Sequence, residues 1–306
     1  MSLLVVGSVA LDSVETPLGK RDEILGGSAV YFSTAASFTG RQIRLVAVIG
    51  EDFPEAHVAE LQGRGICCEG LQRVPGRTFR WSGRYDDLNE AVTLDTQLNV
   101  FEHFKPEFPT GYAQSRDVLL ANIDPVLQGQ VLDQIERPRF VAMDTMNFWI
   151  EDIIPGKRQA LLDVVSRVDM LFVNDTEAKL LSGEETVLAA AQKLISMGPS
   201  GVVIKRGEFG ALLFTQNGPF FCPAYPVETV VDPTGAGDSF AGGFMGYLST
   251  CDVIDEDALR VAAVVGSATA SFVVEGFSIE RMREINATNI QGRVADFRRM
   301  ARIPDA

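Results

Sequence analysis

The stretch from Val230 to Phe244 limits the possible folds of this chain more than any other. It consists of an apolar dipeptide, the turn Asp232-Pro233-Thr234, the loop Gly235-Ala236-Gly237 and small or apolar residues at helical spacing. A proline biases the residue before it away from helical backbone, so the helix is expected to begin after Pro233. The two glycines leave amide N–H groups free at the helix N-terminus, where these donors and the helix dipole form an anion site.

Asp238 follows this loop, in or just before the first helical turn. A carboxylate beside an anion site has no evident purpose for stability alone. It suits a base that deprotonates a hydroxyl while amides stabilise charge on a transferring phosphoryl group. The alternative is a glycine-rich turn with an aspartate cap, which is common in α/β proteins.

The pattern Asp-Pro-Thr-Gly-Ala-Gly-Asp-Ser-Phe-x-x-Gly-Phe at residues 232–244 resembles the C-terminal signature of the ribokinase-like (PfkB) carbohydrate kinases. The resemblance implies that Asp238 is the catalytic base and that Gly235, Ala236 and Gly237 form the anion hole. It also implies an α/β fold whose central, mostly parallel sheet has helices on both faces and carries a small β-sheet lid. ATP and Mg²⁺ are the implied phosphoryl donor and cofactor.

Composition bounds the class of protein. The 306 residues, 46% of them hydrophobic, suffice for a single α/β domain with a sizeable core. A net charge of −14 argues against nucleic acid as a partner. No apolar run is long enough to span a membrane. The four cysteines, two of them adjacent, are typical of reduced thiols in a cytoplasmic protein. With only two histidines, acid–base chemistry is left to carboxylates or lysine.

The N-terminal part supplies candidate substrate contacts. Leu3–Val6 is a short apolar run typical of a buried strand, and Asp12 follows near the sheet edge where α/β proteins bind ligands. Taken alone, Asp12 would be a solvated loop residue, but the resemblance implies that it holds substrate hydroxyls. Gly26 and Gly27 open a helix and permit close approach of a ligand. The resembled family has an asparagine four residues later, where this chain has Tyr31, a phenol able to stack on a ring or to fill the pocket.

The pattern changes between Ile66 and Phe104. Residues 78–85 and 91–100 alternate with period two around a polar turn, which predicts an antiparallel hairpin. We therefore expect one domain over residues 1–306 with a lid formed by about 12–24 and 66–104. The resemblance implies that the lid covers the substrate and pairs with a second subunit, which predicts a homodimer. Arg80 and Arg84 are either solvated or contact an anionic substrate or an acidic partner.

Two segments in the second half are candidates for the nucleotide side. Asn174 and Glu177 are spaced as a capping box, and the resemblance implies that they organise Mg²⁺, with Glu177 acting through water. Lys205, Gly207 and Gly210 are spaced as a β-turn, and the resemblance implies that they line the nucleotide together with Asn174, Gly235 and Gly237.

Three further segments complete the sequence-based interpretation. Asp232 and Thr234 are candidates for holding a monovalent cation such as K⁺, as in some members of the resembled family. The segment Asp144–Asn147 is one residue longer than the Asp-Pro-Asn of that family, so neither of its contacts is carried over. Phe220–Val231 is expected to form a strand pair broken by prolines.

The chain lacks the motifs of P-loop kinases and of dinucleotide-binding oxidoreductases. The expected function is ATP-dependent phosphorylation of a hydroxyl on a sugar or sugar-like alcohol. Two alternatives remain. The first is a nucleoside kinase of the same fold, in which Tyr31 and the lid aromatics Phe79, Trp81 and Tyr85 stack on a base. The second is a non-catalytic ligand-binding member of the fold.

Overall fold

The computed structural model describes residues 2–87 and 90–302. Its strands are β1 (Ser2–Val6), β2 (Ala10–Thr16), β3 (Gly19–Gly26), β4 (Gln42–Gly50), β5 (Ile66–Val74), β6 (Arg80–Asp87), β7 (Glu90–Gln97), β8 (Asp117–Leu120), β9 (Phe140–Asp144), β10 (Met170–Asn174), β11 (Gly201–Lys205), β12 (Ala211–Thr215) and β13 (Gly218–Cys222). Its α-helices are α1 (Ser28–Ser37), α2 (Glu55–Gly63), α3 (Pro125–Gln134), α4 (Asn147–Ile150), α5 (Lys157–Val165), α6 (Asp175–Ser182), α7 (Val187–Ile195), α8 (Ala236–Leu248), α9 (Glu256–Val273) and α10 (Ala287–Met300).

A nine-stranded sheet in the order β13-β12-β11-β10-β9-β8-β1-β4-β5 forms the body of the protein. The seven strands from β11 to β5 run parallel, and β12 and β13 close one edge antiparallel. The parallel strands are near-continuous apolar runs because helices cover both faces. Helices α1, α2, α8, α9 and α10 pack on one face, and α3 to α7 pack on the other. The predicted fold class is confirmed.

The lid is a separate four-stranded sheet in the order β3-β2-β6-β7. Strands β2 and β6 pair in parallel, and the two outer pairs are antiparallel. Val14, Tyr85 and Phe277 form a small core beneath this sheet. The polar turn expected between the two hairpin strands falls in part on residues 88–89, which lie outside the described residues.

The lid is smaller than the sequence predicts. Residues 66–74 are strand β5, which pairs in parallel with β4 at the edge of the large sheet. The physical reason is that β4, α2 and β5 form a βαβ unit, so the chain returns to the main sheet before the lid begins. The lid prediction also extends too far at its end, because residues 99–103 form a 3₁₀-helix whose Phe101 packs on the main core.

The predicted strand pair at Phe220–Val231 is also wrong in part. Strand β13 ends at Cys222, and the segment after it forms no strand. Pro223 and Pro226 each lack the N–H group that a ladder requires, which explains why pairing stops there. The four cysteines are unbridged. Within the described ranges, no helix has the length and apolar character needed to cross a membrane.

Candidate active site

Helix α8 begins at the glycine-rich loop and places Asp238 in its first turn. Gly235 occupies the N-cap position with φ of 75°, a left-handed conformation that favours glycine. Burial raises the pKa of Asp238 to about 7, with a further increase from Asp144 and a partial offset from the ammonium of Lys205. A carboxyl group with this pKa is matched to proton transfer near neutral pH.

The amides of the loop are not equivalent. The Ala236 N–H donates to Pro233 O at 3.1 Å, so this predicted anion-hole amide already has a partner. Gly237 is the second residue of α8, and helix geometry gives its N–H no partner within the helix. A Cβ atom on Gly237 would lie 3.0 Å from Lys205 Nζ, so the ammonium group borders the loop directly. The predicted anion hole is therefore bordered by the Gly237 amide and the Lys205 ammonium group, whereas the Ala236 amide is already occupied.

Asp232 anchors the loop to the segment after α9. Its carboxylate is fully buried and accepts hydrogen bonds from Thr234 N–H at 2.9 Å and Ser278 N–H at 3.2 Å. The Thr234 hydroxyl is bonded to the Tyr85 hydroxyl at 3.2 Å, which connects the loop to lid strand β6. Through these contacts the side chains of Asp232 and Thr234 hold the loop in place. Their role in binding a monovalent cation stays a prediction.

Asp12 lies on lid strand β2, against the glycine pair that precedes α1. Its carboxylate packs so closely on Gly26 that any Cβ there would overlap it, and it accepts a hydrogen bond from Gly27 N–H. Gly27 has φ of 96°. Burial raises the pKa of Asp12 to about 7 despite the Gly27 hydrogen bond, and the carboxylates of Asp232 and Asp238 add to the increase. Asp12 and Asp238 are therefore close enough for the charge of one to affect the pKa of the other.

Tyr31 lies in the first turns of α1 and is only 1% exposed. Its ring covers Gly235, where a Cβ atom would overlap the ring carbons. The ring is therefore a packing partner of the loop and offers no open face for stacking on a substrate, so the pocket-filling alternative for this residue is favoured. Burial, followed by Asp12 and Asp232, raises the pKa of its phenol well above the ordinary value.

Glu177 and Asn174 form the capping box that their spacing predicts. Glu177 N–H donates to Asn174 Oδ1, and Asn174 N–H donates to Glu177 Oε2, each at 2.7 Å. The cap leaves the second carboxylate oxygen of Glu177 outside these bonds. Burial raises the pKa of Glu177 to about 7, with Lys205 lowering it and Asp144 raising it. Few positive groups offset the cost of burying the Glu177 carboxylate, so this carboxylate suits a nearby hydrated cation. Mg²⁺ needs only one or two such groups.

Asp144 is a site residue that the sequence interpretation missed. Its Oδ2 accepts a hydrogen bond from Lys205 Nζ at 2.6 Å. Burial by itself would lower the pKa of Lys205, but Asp144, Glu177 and Asp238 outweigh that effect and raise it. Asp144, Asn174 and Lys205 end the neighbouring strands β9, β10 and β11. That shared position at the carboxyl edge was the available signal, and the extra residue before Asn147 obscured it.

A cavity of about 640 Å³ opens beside Lys205 and the α8 N-terminus. Its volume falls in the range of small-molecule and cofactor sites. Gly207, Gly210 and Gly237, which the sequence analysis assigns to the nucleotide, line it together with Tyr225, Phe240 and Val274. Gly210 has φ of 88°, and a Cβ there would overlap the backbone after β13.

The two lid arginines are paired in this structure. Arg80 bridges Glu23 of the lid and Asp52 of the turn after β4, each at 2.8 Å. Arg84 pairs with Asp86 at 2.9 Å. Arg84 and Asp86 are both exposed, which favours the solvated alternative for Arg84, whereas Arg80 is engaged in its two ion pairs.

Comparison with known proteins agrees with this geometry. The model of the pfkB family carbohydrate kinases matches residues 3–281. The chain is 34% identical over 251 residues to a cytidine kinase of Thermococcus kodakarensis, covering 81% of this chain and 88% of that protein. It is 30% identical over 270 residues to a nucleoside kinase of Methanocaldococcus jannaschii, covering 86% and 82%. An E. coli structure of the ribokinase type, in complex with ATP and Mg²⁺, superimposes with a TM-score of 0.80 at 18% identity, covering 96% of this chain and 99% of that chain, which shows the shared fold.

Proposed function

The chain belongs to the pfkB family of carbohydrate kinases, and we propose that it transfers the γ-phosphoryl group of ATP to a hydroxyl of an uncharged ribose-containing acceptor, a nucleoside. The observation that carries this proposal is the position of Asp238. Its carboxyl group, with a pKa near 7, lies in the first turn beside the loop amides and Lys205.

In this proposal each group of residues has a separate role in the in-line transfer of the phosphoryl group. Asp238 accepts the proton of the attacking hydroxyl as the new oxygen–phosphorus bond forms and the bond to ADP breaks. The amides of Gly235 and Gly237, with the Lys205 ammonium, stabilise the charge on the phosphoryl oxygens. Mg²⁺, held near Glu177 through water, would neutralise charge on the phosphates. Asp12 and the Gly26-Gly27 backbone position the acceptor.

The electrostatics of the acceptor side favour an uncharged acceptor. The charged groups that contribute most to the raised pKa of Asp12 are the carboxylates of Asp232 and Asp238. Lys205 lies on the nucleotide side and is bonded to Asp144. A carboxylate or phosphate on the acceptor would therefore meet like charges at close range, which is costly at a desolvated site. The resemblance to a cytidine kinase supports a nucleoside within the uncharged class.

A free neutral pentose is the second candidate. The buried ring of Tyr31 favours it, because that ring leaves the acceptor no phenol face to stack on at this position. Of the lid aromatics named from the sequence, Tyr85 lies in the small lid core and Phe79 stacks on Phe101, with 5.2 Å between ring centroids, so stacking of a base would depend on Trp81.

A panel of acceptors with ATP and Mg²⁺ tests the proposal. Cytidine, inosine, adenosine, ribose, deoxyribose and 2-dehydro-3-deoxygluconate should be compared by ADP release. We expect turnover of at least one nucleoside and none of the sugar acid. Turnover of the sugar acid alone would overturn the uncharged-acceptor assignment, and no turnover of any acceptor would support a non-catalytic protein.

A further inference from the structure

The last helix, α10, begins after the residues 3–281 that match the family model, yet two of its side chains reach a wall of the large cavity. That wall includes Ser271 on α9 and Tyr225 in the segment after β13. Residues 223–230 form neither helix nor strand, so no ladder of backbone hydrogen bonds fixes the position of Tyr225. Side chains from other elements therefore have to hold it in place.

Arg293 is the first of these two side chains. Its guanidinium group donates to Ser271 Oγ at 2.7 Å and to Glu275 Oε2 at 2.8 Å. Its Cζ lies 3.4 Å from the ring centroid of Phe272 and 4.5 Å from that of Tyr225. Only 12% of the side chain is exposed. A planar, largely desolvated cation makes both kinds of contact at once, so Arg293 joins Tyr225 firmly to α9.

Asp296 is the second of these side chains. Its Oδ2 accepts a hydrogen bond from the Tyr225 hydroxyl at 2.9 Å. The neighbouring Phe297 meets the Tyr225 ring edge to face, with 5.6 Å between ring centroids. Helix α10 thus holds both the ring and the hydroxyl of Tyr225, although no described residue of α10 lines the cavity itself.

The cavity has a charged end and an apolar end. The Lys205 ammonium group and the Gly237 amide at the N-terminus of α8 suit the phosphates of a nucleotide. Most of the remaining lining is apolar, and it includes Phe240, Ala270 and Val274. Apolar walls of this kind suit a base, so Tyr225 belongs to the part of the cavity that is left for the base.

We propose that Arg293 and Asp296 are positioning residues for the nucleotide, because they hold Tyr225 in the wall against which the base of ATP packs. Both residues act through Tyr225 and neither lines the cavity. The proposed base, Asp238, lies in the first turn of α8, whereas Arg293 is bonded to α9. Loss of these contacts should therefore weaken ATP binding and leave the chemical step intact. This inference rests on the proposed function, since it takes the cavity as the ATP site.

The test compares wild type with Arg293→Gln in steady-state kinetics and in calorimetric titration with ADP. We expect the KM for ATP and the Kd for ADP to rise about tenfold, because the ring contacts and charged hydrogen bonds are lost together. The kcat and the KM for the acceptor should change by less than about twofold. Inhibition by inorganic tripolyphosphate, which fits the phosphate end alone, should stay unchanged, and general loosening of the fold would not give that result.

Further variants separate positioning from folding. Asp296→Ala should raise the KM for ATP, whereas Asp296→Asn keeps an oxygen that accepts from the Tyr225 hydroxyl and should stay near wild type. In a Tyr225→Ala background, Arg293→Gln should have no further effect, because the residue through which it acts is gone. Arg298→Gln is the matched control, since it removes the same charge from an exposed position on the same helix and should change nothing.

Three results would overturn the inference. The first is a wild-type KM for ATP in Arg293→Gln. The second is a lower melting temperature with equal changes in kcat, acceptor KM and tripolyphosphate inhibition, which would make the role purely structural. The third is additive effects of Arg293→Gln and Tyr225→Ala. If wild type binds ADP and phosphorylates an acceptor in these cases, the proposed function survives. Absence of both ADP binding and turnover in wild type would overturn both.

Discussion

At the scale of the residue, burial sets the chemistry of Asp238. An aspartate with its ordinary pKa near 4 is a poor base at neutral pH. Removal from water and the neighbouring Asp144 bring the pKa to about 7, while Lys205 keeps the ionised form accessible. Desolvation of this kind follows from the packing of α8 and is invisible in a sequence motif, which supplies only the residue type and its spacing.

Asp238→Asn should abolish most of the turnover and retain ATP binding. Loss of a general base lowers the rate by about 10²- to 10⁴-fold, while the amides and Lys205 that bind phosphate remain. Initial rates and calorimetric titration with ATP measure the two effects. Asp257→Asn is the control, because Asp257 is an exposed acid in the first turn of α9 and its loss should leave the rate unchanged. Normal turnover by Asp238→Asn would exclude it as the base.

Catalysis and stability should respond to pH in opposite directions. Asp12 and Asp238 must ionise for their roles, so kcat/KM should rise as pH increases through about 7. Their raised pKa values mean that between about pH 4 and 7 the folded state binds more protons than the unfolded state, so stability falls as pH rises across that window. Melting temperatures measured from pH 4 to 8 check the sign. In Asp238→Asn the decline should be shallower, and an unchanged slope would contradict the burial argument.

At the scale of the element, the close packing of α1 against α8 brings Tyr31 over Gly235. Glycines permit this approach, since a Cβ on Gly242 would overlap the carbonyl oxygen of Phe32. The sequence signature contains these glycines but does not show which helix they admit. The sequence also did not show that strand β5 belongs to the main sheet. That placement depends on the crossover through α2, which the local alternation of residues does not reveal.

Gly242→Ala should therefore separate the two helices and disturb the loop. Overpacking of this kind costs about 1–3 kcal/mol, and the rate should fall together with the melting temperature. Gly292→Ala on α10 is the control, since a Cβ there meets nothing within 4 Å. Alanine is the better helix former, so this control should be neutral or slightly stabilising. A stable and fully active Gly242→Ala protein would contradict the packing argument.

At the scale of the whole molecule, the family and fold class could be predicted from the sequence because the 232–244 signature fixes many positions at once. The packing of Tyr31 on Gly235 and of Asp12 on Gly26 depends on the lid and on α1, so the sequence alone did not show it. The positions of Asp144 and Lys205 at strand ends could be read from the sequence, but their pairing depends on strand order: β9, β10 and β11 are neighbours in the sheet although helices separate them along the chain.

The homodimer stays a prediction, and the edge strand β7 is where we expect it to form. Val92 is 45% exposed and Leu94 52% exposed on this strand, and an unpaired edge of this kind is a template for pairing. Sedimentation velocity should show a dimer for wild type and a monomer for Val92→Lys/Leu94→Lys. A monomeric wild type at micromolar concentration would contradict the prediction.

The strands that end at the carboxyl edge of the large sheet should not tolerate insertion or deletion of a single residue. Asn174 and Lys205 lie opposite each other in the ladder, and Asp144 is level with Phe172, two residues earlier in β10. Side chains alternate across a strand, so these three project from the same side as α8. Removing a single residue from β10 would rotate Asn174 to the opposite side and leave its neighbours in place. The length of each strand is thus as much a determinant of phosphate chemistry here as the identity of its last residue.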